Sequence, residues 1–278
     1  MPYDLHTHST ASDGTTSPAA VVAAAARAGL TGLALTDHDT GAGLAEAVAE
    51  ARRLGVVLVP GVEVSTSHQG RSVHLLAYGD VAGDPHLAAV LAGTVASRRD
   101  RLRRIVDGVR RAVPDLRYED VLARVPDGVT PGRPHVADAL VAAGAVASRD
   151  EAFEELLAED GPYYVAYRAP DLEQTVRDVV AAGGAPVVAH PGSRSAADVL
   201  DRTTLEALVA AGLVGLEVDH RDHDAAARAR LRAAAGELGL LTTGASDYHG
   251  AGKQNRIGEN TTPDEVVARL LPRAAYAS

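Results

Sequence analysis

The chain has no cysteine and no tryptophan, and only one phenylalanine, one methionine and one lysine among its 278 residues. Without cysteine there can be no disulfide, no thiolate metal ligand and no cysteine nucleophile. Aromatics make up 3% of the chain. The core must therefore be built from small aliphatics, and Ala, Val and Leu supply much of the 46% hydrophobic content. Such side chains suit helices lying close on a parallel sheet. With Lys253 the only lysine, nearly every cation is an arginine, whose planar fork matches phosphate. The net charge is still −10, which argues against a protein that coats nucleic acid, so no stable DNA binding is expected. No apolar run reaches about 18 residues, so no membrane span is expected. The N-terminus runs straight into a strand with no leader pattern. A soluble cytoplasmic protein is the expectation. The length exceeds one ordinary domain and is normal for a single α/β barrel.

What is present begins with Tyr3-Asp4-Leu5-His6-Thr7-His8, followed by Asp13. His6 and His8 are two apart, so on an extended chain both imidazoles point to the same side. Two imidazoles with a carboxylate close behind are half of a metal site. Ser17-Pro18 then starts a helix over 19–28, with Ser as cap and Pro at the first helical position. A strand over 32–36 ends in Asp37-His38-Asp39, and one of these two aspartates reads as a helix cap. A helix over 43–54 follows. A strand over 56–59 leads to Pro60-Gly61-Val62-Glu63, and another over 72–78 carries His74. This β-α-β-α-β rhythm implies parallel strands and right-handed crossovers.

The rhythm breaks near Gly79. Between about 85 and 157 no strand is legible. A long Arg-rich helix over 86–112 is expected, then shorter helices over 118–124, 134–143 and 150–158. The rhythm resumes with a helix over 171–182, a strand over 185–189 and His190-Pro191-Gly192. A helix over 204–211, a strand over 214–218, a helix over 224–238 and a strand over 240–243 follow. The chain then reaches Asp247-Tyr248-His249 and a last helix over 263–271.

His6, His8, His38, Glu63, His190, Asp247 and His249 all fall at or just past the ends of predicted strands. His74 lies within its strand and Asp13 in the first loop. In a parallel barrel those ends converge on the face that carries active sites. Nitrogen and oxygen donors without sulfur suit Mn²⁺, Fe²⁺ or Zn²⁺. Nine candidates exceed the needs of one ion and fit two or three, with a carboxylate such as Glu63 bridging. His68 and His86 read as surface residues. His220 and His223 read as rim or plain loop, and Glu217 as pointing into the barrel or at a partner.

The runs Asp-Leu-His6-Thr-His8-Ser…Ser-Asp13-Gly, Leu-Thr-Asp-His38-Asp, Pro-Gly-Val-Glu63, Val-His74-Leu-Leu-Ala-Tyr, Ala-His190-Pro-Gly and Ser-Asp247-Tyr-His249-Gly resemble the successive motifs of the polymerase-and-histidinol-phosphatase (PHP) family. Gly132-Arg133-Pro134-His135 and Glu-Val-Asp-His-Arg-Asp-His223 resemble its branch of 3′,5′-nucleotide bisphosphate phosphatases and 5′-to-3′ oligoribonucleotide exonucleases. The resemblance implies an α/β fold: a distorted (β/α)7 TIM-like barrel over 1–80 and 165–278, with a mainly helical insertion over 81–164 as a substrate-side cap. It implies that His6, His8, Glu63 and Asp247 hold one ion, that Glu63, His74 and His190 hold a second, and that Asp13, His38 and His249 hold a third. Some members carry His where this chain has Asp13.

The implied chemistry is phosphoester hydrolysis, with water activated between divalent ions attacking phosphorus in line. Asp247 or a nearby histidine such as His249 would shuttle the proton. Arg133 and His223 are candidates for holding the substrate phosphate. The alternatives are an Arg stem packed on the insertion and a loop histidine; His135 reads as structural or as a support behind the site. The run Arg98, Arg99, Arg101, Arg103, Arg104, Arg110 and Arg111 reads as a solvated helix face, or as a positive wall guiding a nucleotide. The expected substrate is a small phosphorylated nucleotide such as a nucleoside 3′,5′-bisphosphate. Short RNA, histidinol phosphate and a non-catalytic metal module are the other readings.

Overall fold

A computed structural model describes residues 2–125, 132–158, 161–165, 168–193 and 196–270. The chain divides into two compact units, one of residues 1–92 with 169–278 and one of residues 93–168. The first is an α/β barrel. Its strands are β1 (Pro2–Thr7), β2 (Gly32–Leu35), β3 (Val57–His68), β4 (Arg71–Tyr78), β5 (Ala185–Val188), β6 (Gly215–Asp219), β7 (Leu241–Gly244) and the two-residue β8 (Thr262–Pro263). They pair in the order β7-β6-β5-β4-β3-β2-β1-β8. The ring is nearly closed just beyond β1 and β7, where Thr7 bridges Tyr248 and the His8 N–H donates to the Tyr248 carbonyl at 2.8 Å.

Helix ends follow the capping residues. α1 (Pro18–Arg27) starts at Ser17, whose hydroxyl accepts from the Ala20 N–H. α2 (Leu44–Leu54) stops at Gly55, where φ is 68°, a value glycine adopts without strain.

One expectation is corrected. The strands read from the β-α-β rhythm as parallel are not all so. β1–β2–β3 are parallel, but β4 is antiparallel to both β3 and β5. β3 does not stop at Val59; it continues through Pro60 and Gly61 to His68 and turns back through Gln69-Gly70. Both turn residues have positive φ, 49° and 76°, and His68 pairs with Arg71. A two-residue turn with two positive φ angles matches the twist of a hairpin, so no crossover helix is needed here.

The small aliphatics pack as composition requires. Val21, Val22, Ala25, Ala47 and Ala51 from the helices bury Leu33, Leu35 and Leu58. A larger cluster joins Val62, Val64, Val73 and Leu75 to Val188, Leu216 and Val218. It takes in α7 (Leu172–Ala181) and α8 (Arg202–Ala211) through Leu172, Val176, Val179, Leu205 and Leu208.

Residues 93–168 form a helical unit with its own core. α3 (Pro85–Val109), α4 (Tyr118–Leu122), α5 (Arg133–Ala142) and α6 (Arg149–Glu155) supply its helices. Leu102, Ile105, Val106 and Val109 of α3 bury with Val121, Val136, Leu140 and Ala152. Among the described residues of this unit there is no strand. Arg99, Arg103, Arg104, Arg110 and Arg111 lie on the exposed side of α3 and the turn after it. Among the described residues no helix is long and apolar enough to cross a membrane.

Candidate metal centre

β1 carries Asp4 and His6, and His8 follows it directly. Asp37-His38-Asp39 follow β2, Glu63 and His74 face each other on the β3–β4 hairpin, His190 follows β5, and Asp247 and His249 lie beyond β7. The two aspartates beside His38 do not cap α2, whose N-cap is Gly43. They hold loops instead. Asp37 accepts from the Ser9 N–H, the Ser9 hydroxyl and the Ser12 hydroxyl at 2.8, 2.7 and 2.6 Å. Asp39 accepts from the Ser65 N–H at 2.7 Å and the Ser65 hydroxyl at 2.8 Å. His38 is thereby fixed between two anchored neighbours.

Glu63 is the hub. Its Oε1 lies 2.8 Å from His74 Nδ1 and 3.1 Å from His190 Nε2. Its Oε2 lies 3.1 Å from each of His6 Nε2, His8 Nε2 and His38 Nδ1. Asp247 divides its oxygens in the same way. Oδ1 faces His8 Nε2 at 3.3 Å and His6 Nε2 at 3.5 Å. Oδ2 takes Lys253 Nζ at 2.7 Å and faces His220 Nε2 at 3.6 Å. Asp13 Oδ1 is 3.2 Å from His249 Nε2. His249 Nδ1 donates to the Asp247 carbonyl at 2.8 Å, which turns Nε2 toward Asp13.

Four groups of these side chains have donor atoms within 4.8 Å of one another: His8, Asp13, His38 and His249; His6, Glu63 and His190; His6, His8 and Asp247; and His38, Glu63 and His74. All nine residues singled out as ligands in the sequence fall in these groups. His6, His8 and His38 each join two groups, a sharing that the resemblance alone does not imply.

The donor set fits divalent ions. His6 Nε2, both ring nitrogens of His8, Glu63 Oε2 and His249 Nε2 are buried and make no hydrogen bond among the described residues. Buried polar atoms left so cost free energy, and these point at one another across distances an ion would bridge. The backbone is also held away from its relaxed form. His190 and Asp247 have φ of 28° and 54°, a region non-glycine residues enter at a cost and chiefly at functional sites.

The electrostatics are coupled. Burial alone would disfavour the His8 cation, yet Asp247 and Glu63 raise its pKa to about 9. His6 likewise rises well above the usual imidazole range against its burial, under Glu63, Glu217 and Asp247. Burial opposes ionisation of Glu63, Asp13 and Asp247, but the histidines around them, and Lys253 beside Asp247, hold all three carboxyls well below the ordinary range.

Arg133 and His223 are in none of these groups. Arg133 opens α5 in the helical unit, donates to the Leu157 carbonyl at 3.2 Å and stacks over Phe153. His223 uses both ring nitrogens on main chain: Nδ1–H donates to the Val218 carbonyl at 2.8 Å and Nε2 accepts from the Gly192 N–H at 2.9 Å. A Cβ at position 192 would sit 2.7 Å from that ring, so glycine is required there. His223 can meet a phosphate only by releasing one of these bonds.

Three residues given no firm role from sequence belong to the site. Glu217 is fully buried and bonds His6. Lys253 pairs with Asp247. His220, 1% exposed, turns Nε2 toward the same carboxylate. A carboxylate inside the apolar strand Gly-Leu-Glu-Val was the one available signal for Glu217, since burying a charge requires a partner.

An α/β barrel that gathers imidazoles and carboxylates in this way at its strand ends defines a metal-dependent hydrolase. The PHP domain model matches residues 4–119. A 3′,5′-nucleoside bisphosphate phosphatase of Chromobacterium violaceum is 35% identical over 99% of this chain and 96% of its own length. A 5′-3′ exoribonuclease of Haemophilus influenzae is 33% identical over 97% of each chain. A crystal structure from Bifidobacterium adolescentis, described as a metal-dependent phosphoesterase, superposes with a TM-score of 0.91 at 39% identity, covering 97% of this chain and 95% of that one. The chain belongs to the PHP family of metal-dependent phosphoesterases.

Proposed function

We propose that this phosphoesterase removes a phosphate from a small nucleotide, such as the 3′-phosphate of a nucleoside 3′,5′-bisphosphate, with two or three divalent ions of which Mn²⁺ is the best match. The observation that carries the reading is the division of Glu63: one oxygen serves His74 and His190, the other His6, His8 and His38. A carboxylate so placed would hold two ions side by side. The full-length similarity to the Chromobacterium violaceum phosphatase supports the substrate class, as does the acidic balance of the chain.

His6, His8, Glu63 and Asp247 would hold one ion, Glu63, His74 and His190 a second, and Asp13, His38 and His249 a third. Ions bound there supply Lewis acidity, neutralising phosphoryl oxygens and lowering the pKa of water. The chain's own residues do the rest. The anchored loops around Asp37 and Asp39 hold the imidazoles rigid, which limits reorganisation as charge develops. Asp247 Oδ1 faces the histidine cluster and is placed to accept a proton, while Lys253 keeps the other oxygen ionised. Where no third ion is bound, His249, its Nδ1 fixed on the Asp247 carbonyl, would present Nε2 for a proton relay. Arg133, as a fork of donors, and His223, on leaving Gly192, are the residues proposed for holding substrate phosphate.

A second reading, 5′-to-3′ hydrolysis of short RNA, is favoured by the exposed arginines of α3 and by similarity to the Haemophilus influenzae exoribonuclease. One experiment separates them: phosphate release from adenosine 3′,5′-bisphosphate beside mononucleotide release from 5′-phosphorylated short RNA, after Mn²⁺ reconstitution, with His38→Ala as control. Release from the bisphosphate alone establishes the first reading, and mononucleotide ladders establish the second. Turnover of neither sinks both.

A further inference from the structure

We propose that Glu217 is a positioning residue that sets two metal ligands at once, His6 through its ring and His190 through its main chain. The inference rests on the metal reading of the site given above.

Glu217 lies in β6 with its neighbours fully buried, and none of its own surface is exposed. Each carboxylate oxygen has a separate task. Oε1 is 3.0 Å from His6 Nδ1, and Oε2 accepts the His190 main-chain N–H at 2.7 Å. An ionised carboxylate only accepts. His6 Nδ1 must therefore keep its proton, which leaves Nε2 as the nitrogen that would give its lone pair to an ion. That nitrogen faces Glu63 Oε2 at 3.1 Å and Asp247 Oδ1 at 3.5 Å, and it is one of the buried atoms without a hydrogen bond. Metal-ligating histidines commonly fix their tautomer by such an outer carboxylate.

The second contact acts on the backbone. His190 holds φ at 28°, a conformation that persists only when its surroundings over-determine it. Glu217 supplies the fixed acceptor for its N–H, and the His190 ring then presents Nε2 to Glu63 Oε1 at 3.1 Å. The two ligands are 184 residues apart in sequence (190 − 6) and meet on one side chain. A buried carboxylate without such duties would be replaceable by an apolar residue of similar volume.

Glutamine at 217 cannot do both. With its oxygen toward His190, its NH₂ faces His6 Nδ1 and favours the tautomer whose Nε2 is protonated. With its oxygen toward His6, its NH₂ opposes the His190 N–H. Aspartate keeps the charge but is one methylene short and reaches at most one partner.

The test is direct Mn²⁺ binding to metal-free protein, read from the free Mn²⁺ signal in electron paramagnetic resonance. Wild type, Glu217→Gln, Glu217→Asp and Tyr78→Phe are compared, each checked for fold by circular dichroism. Tyr78→Phe removes a nearby buried hydroxyl that bonds the Leu5 carbonyl and controls for general packing damage. Folded Glu217→Gln should lose Mn²⁺ affinity by about 10- to 100-fold at the groups containing His6 and His190. The group of His8, Asp13, His38 and His249 should keep its ion, so that stoichiometry at limiting Mn²⁺ falls by at least one. Tyr78→Phe should bind as wild type does. A folded Glu217→Gln with wild-type affinity and stoichiometry overturns the proposal. If that variant does not fold, Glu217→Asp decides by the same criterion. Wild-type protein that takes up no Mn²⁺ overturns the metal reading itself, and this proposal with it.

Discussion

Lys253 Nζ lies 2.7 Å from Asp247 Oδ2, while the other oxygen of that carboxylate faces His8 Nε2 at 3.3 Å. One aspartate thus spans the only lysine of the chain and the centre of the site. Burial works against the ammonium, but Asp247 and Asp13 push the Lys253 pKa up to about 12, so the charge persists at every working pH. Replacing it with methionine keeps the stem and removes the charge. Asp247 then loses its outer anchor, and the expected result is a half-activating Mn²⁺ concentration about 10- to 100-fold higher, as for loss of other outer partners of ligands. A Mn²⁺ activation curve for Lys253→Met beside Lys253→Arg checks this; identical curves for Met and wild type would refute it.

Metal uptake should release protons. In metal-free protein His8 is held at about 9, above the ordinary imidazole value near 6.5, so it is protonated at neutral pH and must lose that proton to bind an ion. Mn²⁺ affinity should therefore rise with pH up to about 9. The sign for stability is opposite. A raised folded pKa contributes stability that is complete below the unfolded pKa near 6.5 and is lost as pH rises through 9. Metal-free protein should thus melt at lower temperature at pH 9 than at pH 7. Calorimetric titrations of Mn²⁺ at pH 7.5 in two buffers of different ionisation enthalpy give the proton count; a count of zero would contradict the assignment. Chelation should abolish turnover and Mn²⁺ should restore it.

Asp37 is the anchor of the first loop. It satisfies three donors, one main-chain and two hydroxyl, within 2.8 Å, and is 2% exposed. Asp37→Ala strands the Ser9 N–H in a buried loop, and each buried donor left unpaired costs about 1–3 kcal/mol. The expected loss of stability is about 2–4 kcal/mol, measured by urea unfolding, with activity falling as His8 and His38 lose their fixed neighbours. A change below about 0.5 kcal/mol, the range of ordinary surface substitutions, would show that the loop does not depend on Asp37.

The ligands were legible because spacing and position carry them: His6 and His8 share one side of a strand, and the others fall where strands end. The starts of α1, α7 and α8 and of the helix over 225–238 were legible within about two residues, because Ser17, Asp171, Asp201 and Asp224 cap them, and helix boundaries are defined no better than that; the ends of α3 and α6 fall three residues short of the reading. The hairpin was not legible, because Pro60-Gly61 reads as a stop signal, whereas β3 runs through both. Glu217 and Lys253 have no partner at a telling spacing, so only the folded chain shows what they touch. His223 illustrates a different gap. A sequence motif marks the residue, but nothing in it says that both ring nitrogens are committed to Val218 and Gly192.

Asp4 offers a test of the site's other support. Its carboxylate accepts from the Ser246 N–H at 2.9 Å and the Gly258 N–H at 2.7 Å, which ties β1 to the loop that carries Asp247. It is wholly buried, and burial raises its pKa to about 6, with the hydrogen bonds from Ser246 and Gly258 opposing the rise. A raised carboxyl pKa favours the folded state most below the unfolded value near 3.9, and the advantage is lost as pH climbs to about 6. Above that the folded state bears a constant charge-burial cost of about 3 kcal/mol. Asn at position 4 escapes this cost but turns an NH₂ toward one of the two N–H groups, a loss of about 1–3 kcal/mol. At pH 4.5 about a third of that cost is present and the loss outweighs it, whereas at pH 8 the two effects nearly cancel. Asp4→Asn should therefore be clearly less stable than wild type in acid and close to it at pH 8. Comparing the two proteins by urea unfolding in chelator removes the titrations they share, including those of the histidine cluster. A stability difference that does not vary between pH 4.5 and pH 8 would mean that Asp4 titrates in the folded chain as it does in water.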